Sequence, residues 1–307
     1  MRNIIQIKSP ATIANLVCGF DILGLALEEP YDIMTLEVVE KPGLEIIHTD
    51  NYQLPTIPED NVAGAALLAL LDDVKNAPGL KLTVEKRIKP GSGLGSSAAS
   101  AAGAVMAASK LLDHDFSNED LVKFAMFGEK VASGVKHADN ITPCLLGGVT
   151  LIRSIMPLDI VKLDAPDLHI TIVHPQIEVK TSDARQILKK EVQLKMAIKQ
   201  WGNIAGLVAG FMKGDHALIG RSLEDAIIEP VRSILIPGFD EVKFRSKSAG
   251  ALGGGISGSG PSIFMLNKDI ETAKAVEQEM KGVYTKIGID FKTYVTKLNT
   301  EGIKIIE

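Results

Sequence analysis

The sequence predicts an α+β protein in two lobes, residues 1–155 and 156–307, on three observations. Its 307 residues amount to about two domains at roughly 150 residues each. Short runs rich in β-branched residues interleave with helical segments along the whole chain, which is the pattern of a mixed architecture. Near residue 155 that pattern starts afresh. At 46% hydrophobic and 23% charged residues, the chain has ample material for a core, and disorder is excluded.

In chain order, residues 4–8, 33–39, 44–48 and 82–86 read as strands, alternating or β-branched and bounded by Pro and Gly. Residues 61–71 are rich in Ala and Leu and follow Pro58-Glu59-Asp60, a helix start. The clearest helix is 96–112, Ala-rich and opening out of glycine. Another begins at Ser117, where Ser117-Asn118-Glu119-Asp120 approximates a capping box and Leu121, Phe124, Ala125, Gly128 and Ala132 share a face. Residues 147–152 return to strand. In the second half, 169–174, 262–266 and 291–297 read as strands, and 182–210, 216–229 and 271–281 as helices.

Composition removes several functional classes. Thirty-three Lys and Arg against 38 Asp and Glu leave a charge of −5, and no run exceeds two adjacent basic residues, so nucleic acid is not an expected partner. Residues 90–109 and 248–267 lack Asp, Glu, Lys and Arg, but their glycines and Pro90 and Pro261 make neither a continuous apolar helix. The N-terminus alternates Ile4-Ile5-Gln6-Ile7-Lys8 and has no apolar block with a cleavage site. Cys18 and Cys144 form no disulfide framework or zinc pattern and suit a reducing compartment. The expectation is a soluble cytoplasmic protein with no membrane partner.

The sharpest signal is Lys89-Pro90-Gly91-Ser92-Gly93-Leu94-Gly95-Ser96-Ser97-Ala98-Ala99-Ser100. Glycines at alternate positions let the backbone take positive φ and approach a ligand with no Cβ in the way. The helix that follows points unsatisfied N–H groups and its positive dipole end back at the loop, which is a phosphate cradle. Ser96 and Ser97 bring hydroxyls to the helix entrance, for an orphan N–H or for Mg²⁺. A Walker A loop needs Lys directly before its Ser or Thr, whereas Gly95 precedes Ser96. A dinucleotide fingerprint fails on the third glycine spacing.

This loop resembles the nucleotide loop of the GHMP small-molecule kinases. A second stretch, Gly255-Ile256-Ser257-Gly258-Ser259-Gly260-Pro261-Ser262, is similar to the glycine-rich motif that this family carries near its C-terminus. The segment Pro10-Ala11-Thr12-Ile13-Ala14-Asn15-Leu16-Val17-Cys18-Gly19-Phe20-Asp21-Ile22-Leu23-Gly24 resembles the branch that phosphorylates L-homoserine, with Val17 where that branch usually has Gly. His137-Ala138-Asp139-Asn140, Thr181-Ser182-Asp183-Ala184-Arg185 and Pro230-Val231-Arg232 leading to Ile236-Pro237-Gly238 match it as well. The resemblance spans roughly residues 8–262. It implies the two-lobed GHMP kinase fold, with an N-terminal lobe like ribosomal protein S5 domain 2 and a ferredoxin-like C-terminal lobe. It also implies ATP and Mg²⁺ as cofactors, a homodimer, and O-phospho-L-homoserine, an intermediate of threonine synthesis, as product.

Homoserine is a zwitterion with a reacting hydroxyl, so its pocket wants an anion, cations and neutral polar groups. Arg185 falls in the first turn of the expected helix, where a cation opposes the macrodipole, a placement that makes sense if it reaches an anion. Arg232 sits among Val231, Ile234, Leu235 and Ile236, where a guanidinium needs a partner, structural or ligand. By resemblance the two arginines clamp the substrate carboxylate. Asp21 lies in a turn, where a carboxylate either caps a backbone N–H or faces a ligand; the resemblance gives it the substrate ammonium. Asn15 and Asn140 would sit near the amino acid and its hydroxyl and His137 would line the same pocket, with Asn140, Arg185 and His137 as the catalytic residues and none assigned as general base.

Glu129 falls at the margin of its helix's apolar face, open to pairing with Lys130 or Lys136. The resemblance places it on Mg²⁺ with Ser97, a hard-oxygen pair that leaves room for water and phosphate. The nucleotide would be held by Pro90, Gly91, Ser92, Gly93, Leu94, Gly95, Ser96, Ser97, Ala98, Ala99 and Ser100, with Asn61 on the adenosine side and Thr181 at the γ-phosphate. The alternatives are a sibling kinase for mevalonate, a sugar or a polyol, and a non-catalytic nucleotide-binding regulator.

Overall fold

The structure is a computed structural model that describes residues 3–179 and 181–306. It opens with a long antiparallel pair, β1 (Ile4–Ala14) and β2 (Leu23–Val39), both running well past the expected strands. The turn between them places Asn15, Leu16 and Val17 at φ of 74°, 40° and 66°, and Asp21 at 61°. Three consecutive side-chain-bearing residues in the left-handed region are costly, most of all a β-branched one. The glycine usual at position 17 in the resembling branch would adopt this turn without that cost.

β3 (Leu44–His48) pairs parallel with β4 (Gly79–Glu85), and α1 (Val62–Leu71) lies between them in sequence. After β4 come α2 (Ser96–Leu111), α3 (Asn118–Ser133), α4 (Ile141–Leu146) and the hairpin β5 (Val149–Ile155) and β6 (Leu158–Leu163). Residue 155 is thus the last residue of β5. Helix α2 is the buried spine, and its Ala, Gly and Ser residues let it press against the sheet. At Gly103 an added Cβ would lie 2.4 Å from Met34 Sδ and 3.1 Å from Ile7 Cδ1.

The second half runs β7 (His169–Pro175), α5 (Thr181–Gln186), α6 (Leu194–Lys213), α7 (His216–Ser222), α8 (Glu229–Arg232), α9 (Phe239–Ser248), β8 (Gly253–Ile256), β9 (Ile263–Asn267), α10 (Ile270–Ile287) and β10 (Phe291–Lys297). Its four strands are antiparallel in the order β10-β7-β9-β8, the βαββαβ topology of a ferredoxin-like lobe with several helices in its first crossover. β11 (Lys304–Ile305) then returns to the first sheet, giving the order β11-β1-β2-β4-β3 with β5 and β6 off the start of β2. One hydrophobic cluster includes Ile7, Leu25 and Val105 from the first half and Ile172, Phe211 and Phe264 from the second.

Two expected helices are broken. The span 182–210 divides into α5 and α6, because residues 187–193 lie mostly exposed with nothing to pack on, and propensity alone does not sustain a helix. Arg185 therefore falls in the last turn of a six-residue helix, and the argument from an opposed macrodipole does not hold. The span 216–229 breaks where the Asp225 carboxylate accepts from the backbone N–H groups of Ile227, Ile228 and Glu229, and α8 restarts with Pro230 in its first turn.

Candidate active site

A cleft of about 370 Å³ lies between the β1–β2 turn, the two glycine-rich loops, α3 and α5. The first glycine loop forms its floor. Gly91, Gly93 and Gly95 have φ of 73°, 81° and 66°, as alternating glycines allow. At Gly91 an added Cβ meets nothing within 4 Å, whereas at Gly95 it would lie 2.0 Å from Thr12 Oγ1. The loop is thus open on one side and tightly backed on the other. Asn61 and Ser117 cap α1 and α3 with side-chain oxygens, but Gly95 gives α2 no side-chain cap, leaving its first N–H groups available to an anion. Pro90, Gly91, Gly93, Gly95, Ser96, Ser97 and Ser100 line the cleft; Ser92, Leu94, Ala98 and Ala99 are turned into the interior.

Two features that the sequence reading missed hold this loop. Lys86, with its side chain 1% exposed, pairs with the fully buried Asp32 and donates to Ser96 O at 2.7 Å and Ser100 Oγ at 2.9 Å. The other oxygen of Asp32 accepts from the backbone N–H groups of Arg87 and Ile88. The second glycine loop braces the first: Ser257 Oγ donates to Gly93 O at 2.6 Å, and Ser262 N to Ser92 O at 3.2 Å. Thr12 joins the ends of the cleft by donating from Oγ1 to Asn140 Oδ1 at 2.7 Å.

Charged groups gather at the other end. Arg185 Nη2 lies 2.9 Å from Asp21 Oδ1 and its Nη1 lies 3.3 Å from Oδ2, a bidentate pair. Arg232 is 4% exposed and donates to Ala184 O at 2.8 Å and Gly258 O at 3.3 Å. Burial, with Arg185 nearby, draws the Arg232 guanidinium down to about 10. Both guanidinium carbons lie over the Phe20 ring, at 5.4 and 4.9 Å from its centroid. Asn15 shapes the turn, accepting from Asp21 N at 3.0 Å and donating to Gly258 O at 2.8 Å. His137 Nδ1 is 3.7 Å from Asp21 Oδ1, its Nε2 is buried without a hydrogen-bond partner, and burial lowers its pKa. Beside it, burial pushes the Asp139 carboxyl up to about 7, with Asp21 and Glu129 adding to the rise.

Glu129 is buried rather than marginal, and its Oε1 has no hydrogen-bond partner. Burial raises its pKa, while a hydrogen bond with Ser97 and the Lys86 charge oppose the rise. An orphaned carboxylate oxygen beside a serine hydroxyl is a donor set that suits a hard divalent cation. Among the described residues no group of three or more His, Cys, Asp or Glu forms a metal site, so phosphate oxygens or water would complete the shell. At the far wall, Asn61 Oδ1 accepts from Ala63 N and Gly64 N, and its Nδ2 donates to Pro55 O at 2.6 Å and contacts His48 Nε2 at 3.1 Å. Its amide is already fully engaged, and His48, which the sequence did not single out, lines the wall beside it. Thr181 lies at the rim, with Oγ1 3.2 Å from Ser259 Oγ.

Known proteins share this fold. The family model described as the GHMP kinases N terminal domain matches residues 61–148, and the GHMP kinases C terminal model matches residues 207–286. A homoserine kinase of Chloroherpeton thalassium is 42% identical over 312 residues, covering 97% of this chain and 98% of its own. One of Chlorobium phaeobacteroides is 42% identical over 311 residues, covering 96% and 97%. The crystal structure of homoserine kinase from Cytophaga hutchinsonii superposes with a TM-score of 0.96 at 47% identity, covering 100% of this chain and 98% of that one. With both lobes matched and the likeness running along nearly its entire length, the chain belongs to the GHMP kinase family, in its homoserine kinase branch.

Proposed function

We propose that this protein transfers the γ-phosphoryl group of ATP to the side-chain hydroxyl of L-homoserine, giving O-phospho-L-homoserine for threonine synthesis. The observation that carries the reading is one cleft with an uncapped glycine-loop helix at one end and Asp21, Arg185 and Arg232 at the other. A sugar has no use for that second set, and mevalonate, a carboxylate without an ammonium, would engage the arginines and leave Asp21 without a partner. A zwitterion fits it, because the Asp21–Arg185 pair can exchange partners, the carboxylate going to Arg185 and Arg232 and the ammonium to Asp21, without leaving a charge unpaired.

Phosphoryl transfer asks the protein mainly for alignment and for neutralisation of phosphate charge. The first loop and α2 hold the triphosphate through backbone N–H groups, with Thr181 at the γ-phosphate end. Ser97 and Glu129 would hold Mg²⁺, which when bound supplies positive charge to the phosphate oxygens. Arg185, Arg232 and Asp21 orient the amino acid so that its hydroxyl faces the γ-phosphorus beside Asn140 and His137. Burial keeps His137 neutral, adding no further charge beside two guanidinium groups. No residue is assigned as general base.

Both thiols are free and buried, and two unpaired cysteines suit a reducing cytoplasmic setting. Among the described residues no helix is long and apolar enough to cross a membrane. The partners in this reading are small molecules, and the working unit is a homodimer. Incubation with Mg-ATP and L-homoserine, L-serine, mevalonate or galactose, following ADP release, tests the assignment. Release confined to homoserine is expected; release with mevalonate or galactose alone overturns it.

A further inference from the structure

Asn140 opens α4 from the N-cap position, where an asparagine oxygen ordinarily accepts from backbone N–H groups of the first turn. Here it caps nothing. Its Oδ1 turns to Thr12 instead, and accepts from Thr12 Oγ1 at 2.7 Å. The chemistry of Thr12 settles how that amide lies. Thr12 is fully buried, its hydroxyl carries a single proton, and among the described residues only Asn140 Oδ1 hydrogen-bonds with it. Turning the amide over would set Nδ2 against the hydroxyl and strand that proton in the interior, which buried polar groups rarely tolerate.

Thr12 is itself wedged in place. Its backbone N–H donates to Leu94 O at 3.1 Å, within the first glycine loop. An added Cβ at Gly95 would lie 2.0 Å from Thr12 Oγ1 and 3.0 Å from Asn140 Oδ1, so the loop closes directly over the hydrogen bond. With Oδ1 engaged, Asn140 shows its Nδ2 to the cleft that it lines, and among the described residues no group accepts from that nitrogen. An amide NH2 donates to oxygen lone pairs and takes up no proton.

We propose that Thr12 is a positioning residue for phosphoryl transfer. It fixes the Asn140 amide so that its NH2 donates to the hydroxyl oxygen of the acceptor alcohol and steadies that oxygen before the γ-phosphorus. This rests on the preceding reading, in which Asn140 stands beside that hydroxyl, and adds what sets the asparagine's orientation. Because Thr12 also backs Gly95, the attacking oxygen and the triphosphate take their register from one side chain.

Steady-state kinetics of the full chain, reading ADP release from Mg-ATP with the acceptor that the parent uses, test the proposal. The variants are Thr12→Val, Thr12→Ser, Asn140→Ala and the double variant Thr12→Val/Asn140→Ala. Thr171→Val is the control, since it also loses a buried hydroxyl bond, to Ala273 O at 2.8 Å from β7. Valine keeps the shape and strand preference of threonine without the hydroxyl. Thr12→Val should lower kcat about 10–100-fold and leave the KM of both substrates within about threefold, as lost alignment does. Thr12→Ser and Thr171→Val should keep kcat within about threefold of the parent, the first because it retains the donor. On top of Asn140→Ala, Thr12→Val should cost no more than about twofold. An equal loss with and without Asn140 would make Thr12 merely structural and overturns the proposal, as does Thr12→Val with the parent's kcat. Asn140→Asp reads the orientation by itself, even where Thr12→Val does not fold. Thr12 would hold one carboxylate oxygen and leave the other, an acceptor, at the hydroxyl. A kcat no higher than that of Asn140→Ala is expected, and a higher one overturns the proposal. A parent that phosphorylates mevalonate or galactose and not homoserine overturns the substrate of the preceding reading, and the same variants then test Thr12 on that alcohol. A parent inert with every acceptor overturns both.

Discussion

Lys86 offers a sharp test of how the nucleotide loop is held. Replacing it with Met keeps the volume but removes the only cation on Asp32 among the described contacts, along with the donors to Ser96 O and Ser100 Oγ. Both side chains are sealed from water, 1 and 0% exposed, so solvent cannot take over the carboxylate. A buried charge stripped of its partner costs about 3–5 kcal/mol, a large share of the ~5–15 kcal/mol of a typical domain. Adding Asp32→Asn removes the stranded charge while keeping an oxygen for the N–H groups of Arg87 and Ile88, and should recover more than half of the loss. Urea unfolding of the ligand-free protein at pH 7, followed by circular dichroism, measures all four corners of the cycle. A single variant within about 1 kcal/mol of the parent, or a double variant less stable than Lys86→Met, would refute the reasoning.

Gly95→Ala should melt well below the parent, since its Cβ would lie 2.0 Å from Thr12 Oγ1; Gly91→Ala meets no atom and should cost only about 1–2 kcal/mol of backbone strain while raising the KM for ATP. Arg232→Ala should raise the KM for homoserine by about 30-fold, roughly 2 kcal/mol, with an unchanged KM counting against the clamp. Glu129→Gln should lower kcat and shift the Mg²⁺ titration, and an unaltered titration would take Glu129 off the metal. Asp139 titrates at about 7 when folded against 3.8 otherwise, so the folded state binds the extra proton. The parent should therefore lose stability as pH rises from about 4 to 7. Asp139→Asn escapes that loss, and in urea unfolding with EDTA its advantage should widen over that window and level off above it; a constant difference would argue against the buried carboxyl.

Much of the nucleotide end was legible in the sequence because it is local. Alternating glycines, paired serines and an Ala-rich helix are contiguous, and Leu44–His48 and Phe291–Lys297 match their expected bounds. Lys86 and Asp32 escaped notice because they are 54 residues apart, one just past the end of β4 and the other on β2, and neither sits in a pattern that distinguishes a buried ion pair from two surface charges. Thr12 went unassigned for a similar reason, since its partner Asn140 lies 128 residues away. The split of 182–210 was illegible because its residues suit a helix well enough; what is missing at 187–193 is a surface to pack against. Glu129 looked marginal on a helical wheel and is buried because α3 is covered by α1 as well as α2.

The brace between the two glycine loops sets an order on the protein's birth. Residues 91–97 leave the ribosome well ahead of Ser257 and Ser262, by about 10–30 s at usual elongation rates. Until those serines arrive, Gly93 O and Ser92 O have no native partners, and β11 has yet to close the sheet beside β1. A growing chain therefore holds its phosphate cradle from within the first lobe, by Lys86 and Asp32, until the second loop arrives. Premature stop products ending before residue 257 inherit the glycine signature without the brace from Ser257 and Ser262.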